Sequence, residues 1–288
     1  MTGKAIRLKR VIDPAGASII CALDHGMTSP TFLSPLADIE ERVEEAVSGG
    51  ANVIMMSKGM IRHCVGAFAR ETSLALLLSA SAHPEGGDAG SSSVVQVAQV
   101  EEALRLGADA VVLFVALAGE YEREMIEATA RIGGECDRLG MPFIAEAEFP
   151  TTYARVEDLA ETYGVDYLLR NVRLCAELGA DIVKTNWPGS DESFARLVEA
   201  ASGVPVVLAG GSRISDEELL SRMERAVAAG AIGCSVGRNI FMHDDPRAIT
   251  QALSRVIRER WPADKAYEEL QATHRPSAAR RLFGGGGS

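Results

Sequence analysis

Apolar residues run along this chain in short unbroken blocks rather than in strict alternation. Eight blocks stand out, at 18–22, 53–56, 74–78, 110–115, 143–147, 182–184, 206–208 and 233–236. A short continuous run fits a strand covered on both faces, as in a parallel sheet. Amphipathic segments fill the gaps. In residues 215–230, Ser215 and Glu218 form an S-x-x-E capping box and Gly230 closes the last turn.

One phrase recurs where a helical segment gives way to a strand: glycine, small residues, then the apolar block. It appears as Gly50-Ala51-Asn52, Gly107-Ala108-Asp109, Gly179-Ala180-Asp181 and Gly230-Ala231-Ile232, with weaker copies at Gly140-Met141-Pro142 and Gly203-Val204-Pro205. Glycine just past a helix accepts the left-handed conformation that ends it, and proline cannot continue it. These junctions imply a βα unit repeated throughout, with no Pro/Ser-rich linker between halves. The expected fold is α/β: one (β/α)8 TIM barrel over residues 1–278, followed by a tail at 279–288 whose Gly284 to Ser288 end reads as an appended linker. A doubly wound open sheet is the structural alternative.

Composition supports this reading. The 288 residues would allow two domains, but α/β barrels of about 250 residues fold as one unit. Hydrophobic residues make up 47%, enough for a large core without metals or disulfides. The net charge of −11 repels phosphate backbones and anionic membranes, which argues against nucleic-acid binding while leaving room for a local basic pocket. The longest apolar run, residues 110–119, has about ten residues, half of what a membrane helix needs. No apolar stretch follows the basic N-terminal residues, so no signal peptide is expected. Cys21, Cys64, Cys136, Cys175 and Cys234 are scattered and form no Cys-x-x-Cys pair, which suits free thiols in a reducing cytoplasm.

In a barrel, chemistry gathers at the C-terminal ends of the strands. Among five lysines only Lys58 and Lys184 end strands. Partial desolvation at the rim of the sixth strand is expected to lower the pKa of Lys184 and free its amine to attack a carbonyl. The resulting iminium is an electron sink beside which carbon–carbon bonds form or break. The other reading of Lys184 is an ion pair with a neighbouring carboxylate. Glu146 and Glu148 lie two residues apart on the fifth strand, on one face and beside the sixth. One of them, with Glu148 favoured as nearer the mouth, is expected to shuttle protons, and at least one to be a structural partner.

Asp24 directly follows the first strand, where an acid is costly unless paired or working. It could tune the lysine or carry a proton, and His25 reads as a hydrogen-bonded support. Gly210, Gly211, Ser212 and Arg213 follow the seventh strand, and Gly237 and Arg238 the eighth. Glycines let backbone N–H groups approach an anion and Arg238 supplies a fork of donors, so the two loops together point to a phosphorylated ligand. No G-x-G-x-x-G opens the first βα unit, so a dinucleotide is not indicated. His243-Asp244-Asp245-Pro246 reads as a helix start rather than a metal cluster, Lys58 as a second substrate contact or an ion-pair partner, and Arg280-Arg281 as a solvated tail.

Five segments, in this order, resemble the archaeal-type (DhnA-type) class I aldolases. They are Leu23-Asp24-His25-Gly26, Met56-Ser57-Lys58-Gly59, Gly179-Ala180-Asp181-Ile182-Val183-Lys184-Thr185, Ala209-Gly210-Gly211 and Val236-Gly237-Arg238-Asn239-Ile240-Phe241. The resemblance spans roughly residues 10–260. It implies a barrel without metal or other cofactor, a Schiff-base lysine at Lys184, an acid/base role for Asp24 and a phosphate held by the last two loops. It also implies a homo-oligomer, since many relatives form rings. Relatives include fructose-bisphosphate aldolases, aminodideoxyheptulosonate synthases and a thiolase for a phosphorylated signalling molecule.

Many of them carry a tyrosine as proton donor at the end of the fifth strand, where this chain has Glu148 or Phe149, with Tyr153 nearby. On the fourth strand it has Phe114 and Ala116 where synthase-like relatives often show His and Asn. The expected function is a class I aldolase acting on a phosphorylated ketose or ketone such as dihydroxyacetone phosphate. A transaldolase, synthase or thiolase with another acceptor is the alternative, and a non-catalytic sugar-phosphate-binding barrel a further one.

Overall fold

Closing the apolar strands into a ring removes every sheet edge and leaves nearly all strand residues buried. A computed structural model describes residues 2–81, 94–117, 119–151 and 154–273. In chain order its strands are β1 (Ser18–Ala22), β2 (Val53–Met56), β3 (Ser73–Leu77), β4 (Ser79–Ser81), β5 (Val94–Gln96), β6 (Ala110–Val115), β7 (Phe143–Ala147), β8 (Ile182–Thr185), β9 (Val206–Ala209) and β10 (Gly233–Val236). Eight of them close a parallel barrel in the order β1-β10-β9-β8-β7-β6-β3-β2. The β1–β10 ladder, with Ser18 beside Gly233 and Cys21 beside Val236, excludes the open sheet.

Three strands differ from expectation by one residue, at 73–77, 182–185 and 206–209. Ladder pairing rather than apolarity sets their ends: Ser73 pairs with Val53, and Thr185 with Leu208. The hairpin β4–β5 was not foreseen, since three-residue strands are too short to show a period. The second βα unit has no α-helix, only single 3-10 turns at Ile61–His63 and Val65–Ala67. Gly59 and Gly66 stand where a helix would run, each costing about 1 kcal/mol relative to alanine.

Strand side chains alternate between the barrel interior and the surrounding helices. Ile20, Ala22, Val53, Met55, Ala75, Val112, Ile144, Ile182 and Val207 fill the interior, while Ile19, Cys21, Ile54 and Val183 face outward. Val11, at the end of α1 (Thr2–Val11), belongs to the interior cluster and closes the N-terminal end of the barrel. The opposite end is left as the mouth.

Outside stand α2 (Ile39–Ser48), α3 (Val100–Arg105), α4 (Glu122–Leu139), α5 (Val156–Glu177), α6 (Asp191–Ala200), α7 (Asp216–Ala228), α9 (Pro246–Arg258) and α10 (Ala263–Thr273), with the single turn α8 (Arg238–Phe241) after β10. α5 breaks at Gly164, whose φ is 72°. The expected caps form. The Glu218 N–H donates to Ser215 Oγ at 3.2 Å, and the Ala248 N–H donates to Asp245 Oδ1 at 2.9 Å, with Pro246 opening α9. Gly140 closes α4 in the left-handed region, at φ 67°.

All five cysteines are free and buried. Among the described residues no helix is long and apolar enough to cross a membrane. The expected tail at 279–288 lies outside those residues.

Barrel closure depends on one glycine. A Cβ on Gly233 would lie 2.0 Å from the Ser18 carbonyl oxygen, which the β1–β10 ladder fixes in place. Gly233→Ala should therefore cost about 3 kcal/mol or more in urea unfolding. A midpoint unchanged from the parent would contradict this packing.

Candidate active site

The inward side of the alternation carries past the strand ends and decides which polar residues reach the mouth. Ala22 leads to Asp24, Ile144 to Glu146 and Glu148, and Ile182 to Lys184, each two residues on and on the interior face. In register, Phe114 of β6 pairs with Glu146 of β7, and Glu146 with Lys184 of β8. These three side chains form one row across adjacent strands. The cavity above them is also lined by Asp24, His25, Gly210, Gly211, Gly237 and Arg238.

Both glutamates meet the lysine. Lys184 Nζ lies 2.6 Å from Glu146 Oε1 and 2.8 Å from Glu148 Oε1, and all three residues are buried. Asn186, two residues beyond Lys184, donates from Nδ2 to Glu148 Oε2 at 3.3 Å and accepts the Phe149 N–H at Oδ1 at 2.8 Å. Asn171 on α5 donates to the Glu148 carbonyl at 3.2 Å and to the Val115 carbonyl at 2.8 Å. Glu148 is thus held at side chain and backbone, in a position to face both the lysine and the cavity.

The charge state of Lys184 corrects the expected lowered pKa and fits the other reading, an ion pair with neighbouring carboxylates. Burial does favour the neutral amine, but the charges and hydrogen bonds of Glu146 and Glu148 outweigh it and hold the pKa above the ordinary lysine value. The resting group is an ammonium. The same burial pushes Glu146 up to about 7, helped by the neighbouring charges of Glu148 and Asp24 and opposed by Lys184. For Asp24, burial again favours the acid form, but the adjacent His25 and the Lys184 charge hold its carboxyl below the usual aspartate value. His25 Nδ1 lies 3.4 Å from Asp24 Oδ1, and its ring packs against Phe32 and Phe241 with centroids 5.6 and 5.2 Å away.

The last two loops are braced together. Asn239 Nδ2 donates to the Gly210 and Ser212 carbonyls at 3.0 and 3.1 Å, and its Oδ1 accepts the Ile214 N–H at 2.9 Å. The Arg213 guanidinium donates to the Met242 carbonyl. Gly211 lies at φ 65°, in the left-handed region. Arg238 lines the cavity. Burial lowers its pKa, while Glu148 and Asp24 act in the opposite direction.

Gly237 leaves no room for a side chain: a Cβ would lie 2.5 Å from His25 Cε1 and 2.7 Å from the Ala22 carbonyl oxygen. Gly237→Ala should displace this loop. In steady-state assays we expect KM for a phosphorylated donor to rise about tenfold or more with a smaller change in kcat. Unchanged kinetics would contradict a binding role for the loop.

Two expected contacts are placed elsewhere. Lys58 is outside the cavity lining, with Nζ 3.3 Å from Glu102 Oε2, so its ion-pair reading describes it. Its parity explains this: Met55 faces in and Met56 out, so Ser57 continues the inner face and Lys58 the outer. Ser212 contributes its carbonyl to the Asn239 brace and is not among the lining residues. Tyr153 lies outside the described residues.

Ser235 was missed. Its Oγ is buried at the cavity wall with no hydrogen-bond partner among the described residues, which suits a substrate hydroxyl or phosphate oxygen. The signal was its inward parity, two residues before Gly237.

This chain is similar to known proteins along most of its length. The sequence pattern of the family described as DeoC/LacD family aldolase matches residues 18–243. A 2-amino-3,7-dideoxy-D-threo-hept-6-ulosonate synthase of Halobacterium salinarum is 34% identical over 271 residues, covering 89% of this chain and 92% of the synthase. A 2-amino-4,5-dihydroxy-6-oxo-7-(phosphonooxy)heptanoate synthase of Streptomyces griseus is 36% identical over 258 residues, covering 88% and 90%. Among solved structures, an archaeal fructose-1,6-bisphosphate aldolase with its catalytic Lys covalently bound to the carbinolamine intermediate superposes with a TM-score of 0.76. It is 26% identical, over 88% of this chain and 99% of its own.

Proposed function

This chain belongs to the DeoC/LacD aldolase family and is a Schiff-base (class I) aldolase; we propose that Lys184 is its nucleophile and that the donor is a phosphorylated ketone such as dihydroxyacetone phosphate. The observation that carries the assignment is Lys184 Nζ held between Glu146 and Glu148, inside a mouth also lined by Arg238, Gly211 and Gly237. The synthase names of the two relatives favour the bond-forming direction.

The geometry suggests a division of labour among the carboxylates. Lys184 must lose a proton before it can attack. Glu146, 2.6 Å away and pushed up to about 7, is the acceptor whose proton affinity suits that transfer near neutrality. The free amine then bonds to the donor carbonyl carbon, one of its N–H protons passes to the oxygen to give the neutral carbinolamine, and the proton taken up by Glu146 leaves with that hydroxyl as water. Loss of water leaves a cationic iminium, which Asp24, held ionised, stabilises by charge.

Glu148 stands nearer the mouth and serves the substrate-side transfers. It accepts the proton from the donor carbon as the enamine forms and returns one to the aldehyde oxygen after attack. A glutamate thereby takes the position where many relatives carry a tyrosine. The donor phosphate is held by Gly210, Gly211, Gly237 and Arg238, with Ser235 donating to one of its oxygens or to a hydroxyl.

Enamine formation needs no acceptor, so it can be tested alone. Incubated with dihydroxyacetone phosphate in D2O, the protein should exchange one C3 proton for deuterium, read by NMR. Glu148→Gln should slow exchange by roughly 10^2-fold while the reducible Lys184 adduct still forms. Exchange at the wild-type rate in that variant would move the proton transfer to another group.

A further inference from the structure

Resting on the donor reading above, we infer that the acceptor subsite takes an uncharged aldehyde with an apolar tail, and that Phe114 sets this preference. The barrel order fixes the directions. The phosphate loops follow β9 and β10, and the strands across the mouth from them are β3 and β6. A donor anchored at those loops and joined to Lys184 on β8 directs its reacting carbon past Glu146 and Glu148 towards β6. The far wall is therefore where the acceptor sits.

Among the described residues that wall carries no charged side chain. Its lining residues are Met55, Leu77, Phe114 and the short stretch Ser79, Ala80 and Ser81. Among the described residues the lining lysine and arginine are Lys184 and Arg238, on β8 and directly after β10; the donor reading uses both, and His25 lies against Asp24. The Phe114 ring stands in register with Glu146, one strand further from Lys184, so an aldehyde carbon in reach of the enamine puts its substituent against that ring. Ser79 Oγ accepts the Phe114 N–H at 3.1 Å and so ties the hairpin to β6.

In sequence, residues 82–93 and 116–121 contain no lysine or arginine, and one histidine, His83. Lys58, which follows β2, pairs with Glu102 outside the cavity. An anionic acceptor such as a phosphorylated aldehyde would enter past Asp24, Glu146 and Glu148 and then meet Met55, Leu77 and Phe114, with no lysine or arginine on that wall among the described residues, which disfavours it. An apolar tail instead removes its own surface and that of Phe114, Leu77 and Met55 from water. The reaction balances without a further reagent. The enamine carbon bonds to the aldehyde carbon, the carbonyl π pair moves to oxygen, and that oxygen takes the proton held by Glu148.

The test uses the full chain with dihydroxyacetone phosphate and two aldehydes, butanal and glyceraldehyde 3-phosphate, following adduct formation by mass spectrometry. Wild-type kcat/KM should favour butanal by about tenfold or more. Phe114→Arg, which places a cation on the far wall, should reverse or erase that preference. If Phe114→Arg does not fold, Phe114→Ser should lower the rate with butanal while leaving the glyceraldehyde 3-phosphate rate within about twofold. Preference of the wild type for glyceraldehyde 3-phosphate, or reaction with neither aldehyde, would overturn the acceptor assignment. Borohydride reduction with the donor alone separates the two layers. A Lys184 adduct confines any such failure to the acceptor, whereas no adduct removes the donor reading and this inference with it.

Discussion

Lys184→Met should lose turnover by about 10^5-fold or more while keeping the barrel, because it removes the atom proposed to join the donor covalently. The thermodynamic cost is separable. Met preserves the length of the side chain but leaves Glu146 and Glu148 buried without their cation, and breaking a buried pair from one side costs about 3–5 kcal/mol. The carboxyls can relieve that cost by taking up protons, so the variant should regain stability relative to wild type as the pH falls. Lys184→Arg makes the complementary case. It keeps the positive charge and most of the stability, yet it cannot surrender a proton near neutrality. Both variants should be inactive, with the arginine form closer to wild type in urea unfolding at pH 8. Activity within about tenfold of wild type in either would place the nucleophile elsewhere.

Glu146→Gln carries the second large effect. In the wild type, the rate of iminium formation should rise with pH through about 7, as the carboxyl proposed to accept the lysine proton becomes ionised. The glutamine cannot accept that proton, so the rate should fall by roughly 10^2- to 10^3-fold and the rise near neutrality should disappear.

Stability moves in the opposite sense. The folded-state pKa of Glu146 is raised above its unfolded value of 4.5 to about 7. Between those values the native state holds a proton that the unfolded chain lacks, so stability falls as pH climbs through this window and levels off above it. The contribution of Lys184, whose pKa is also raised, is present throughout, since it is lost only on the far alkaline side. Glu146→Gln should flatten the decline between pH 4.5 and 7. A mutant with an unchanged pH–rate limb would assign the base to another group.

Much of this arrangement was legible because barrel strands are buried on both sides and so appear as unbroken apolar blocks. Glycine-closed helices between them set the repeat. The hairpin β4–β5 and the helix-less second unit were not legible. Three-residue strands show no period, and residues 57–72 are long enough for a helix yet interrupted by Gly59 and Gly66.

At the site, spacing was a better guide than residue type. Glu146 and Glu148 share a face because they are two apart, and both reach Lys184 because β7 neighbours β8. Lys58 looked similar to Lys184 as a lysine ending a strand, but it falls on the outward parity. Ser235 lies within the apolar block 233–236 and has the inward parity that Lys58 lacks.

The protonation state of Lys184 stood open in the sequence, between a desolvated amine and an ion pair with a neighbouring carboxylate. Desolvation alone argues for a neutral amine, and only the three-dimensional distances of 2.6 and 2.8 Å to two carboxylates reverse the sign. The brace by Asn239, and the hold of Asn171 and Asn186 on Glu148, likewise join segments that the sequence does not connect.

The central claim is covalent and can be tested directly. The wild-type protein would be treated with borohydride in the presence of dihydroxyacetone phosphate, then of unphosphorylated dihydroxyacetone, and examined by intact mass and peptide mapping. The account predicts one reduced adduct, on Lys184, forming readily with the phosphorylated ketone and poorly with the other. An adduct mapping to Lys58, or none in a folded protein, would contradict it.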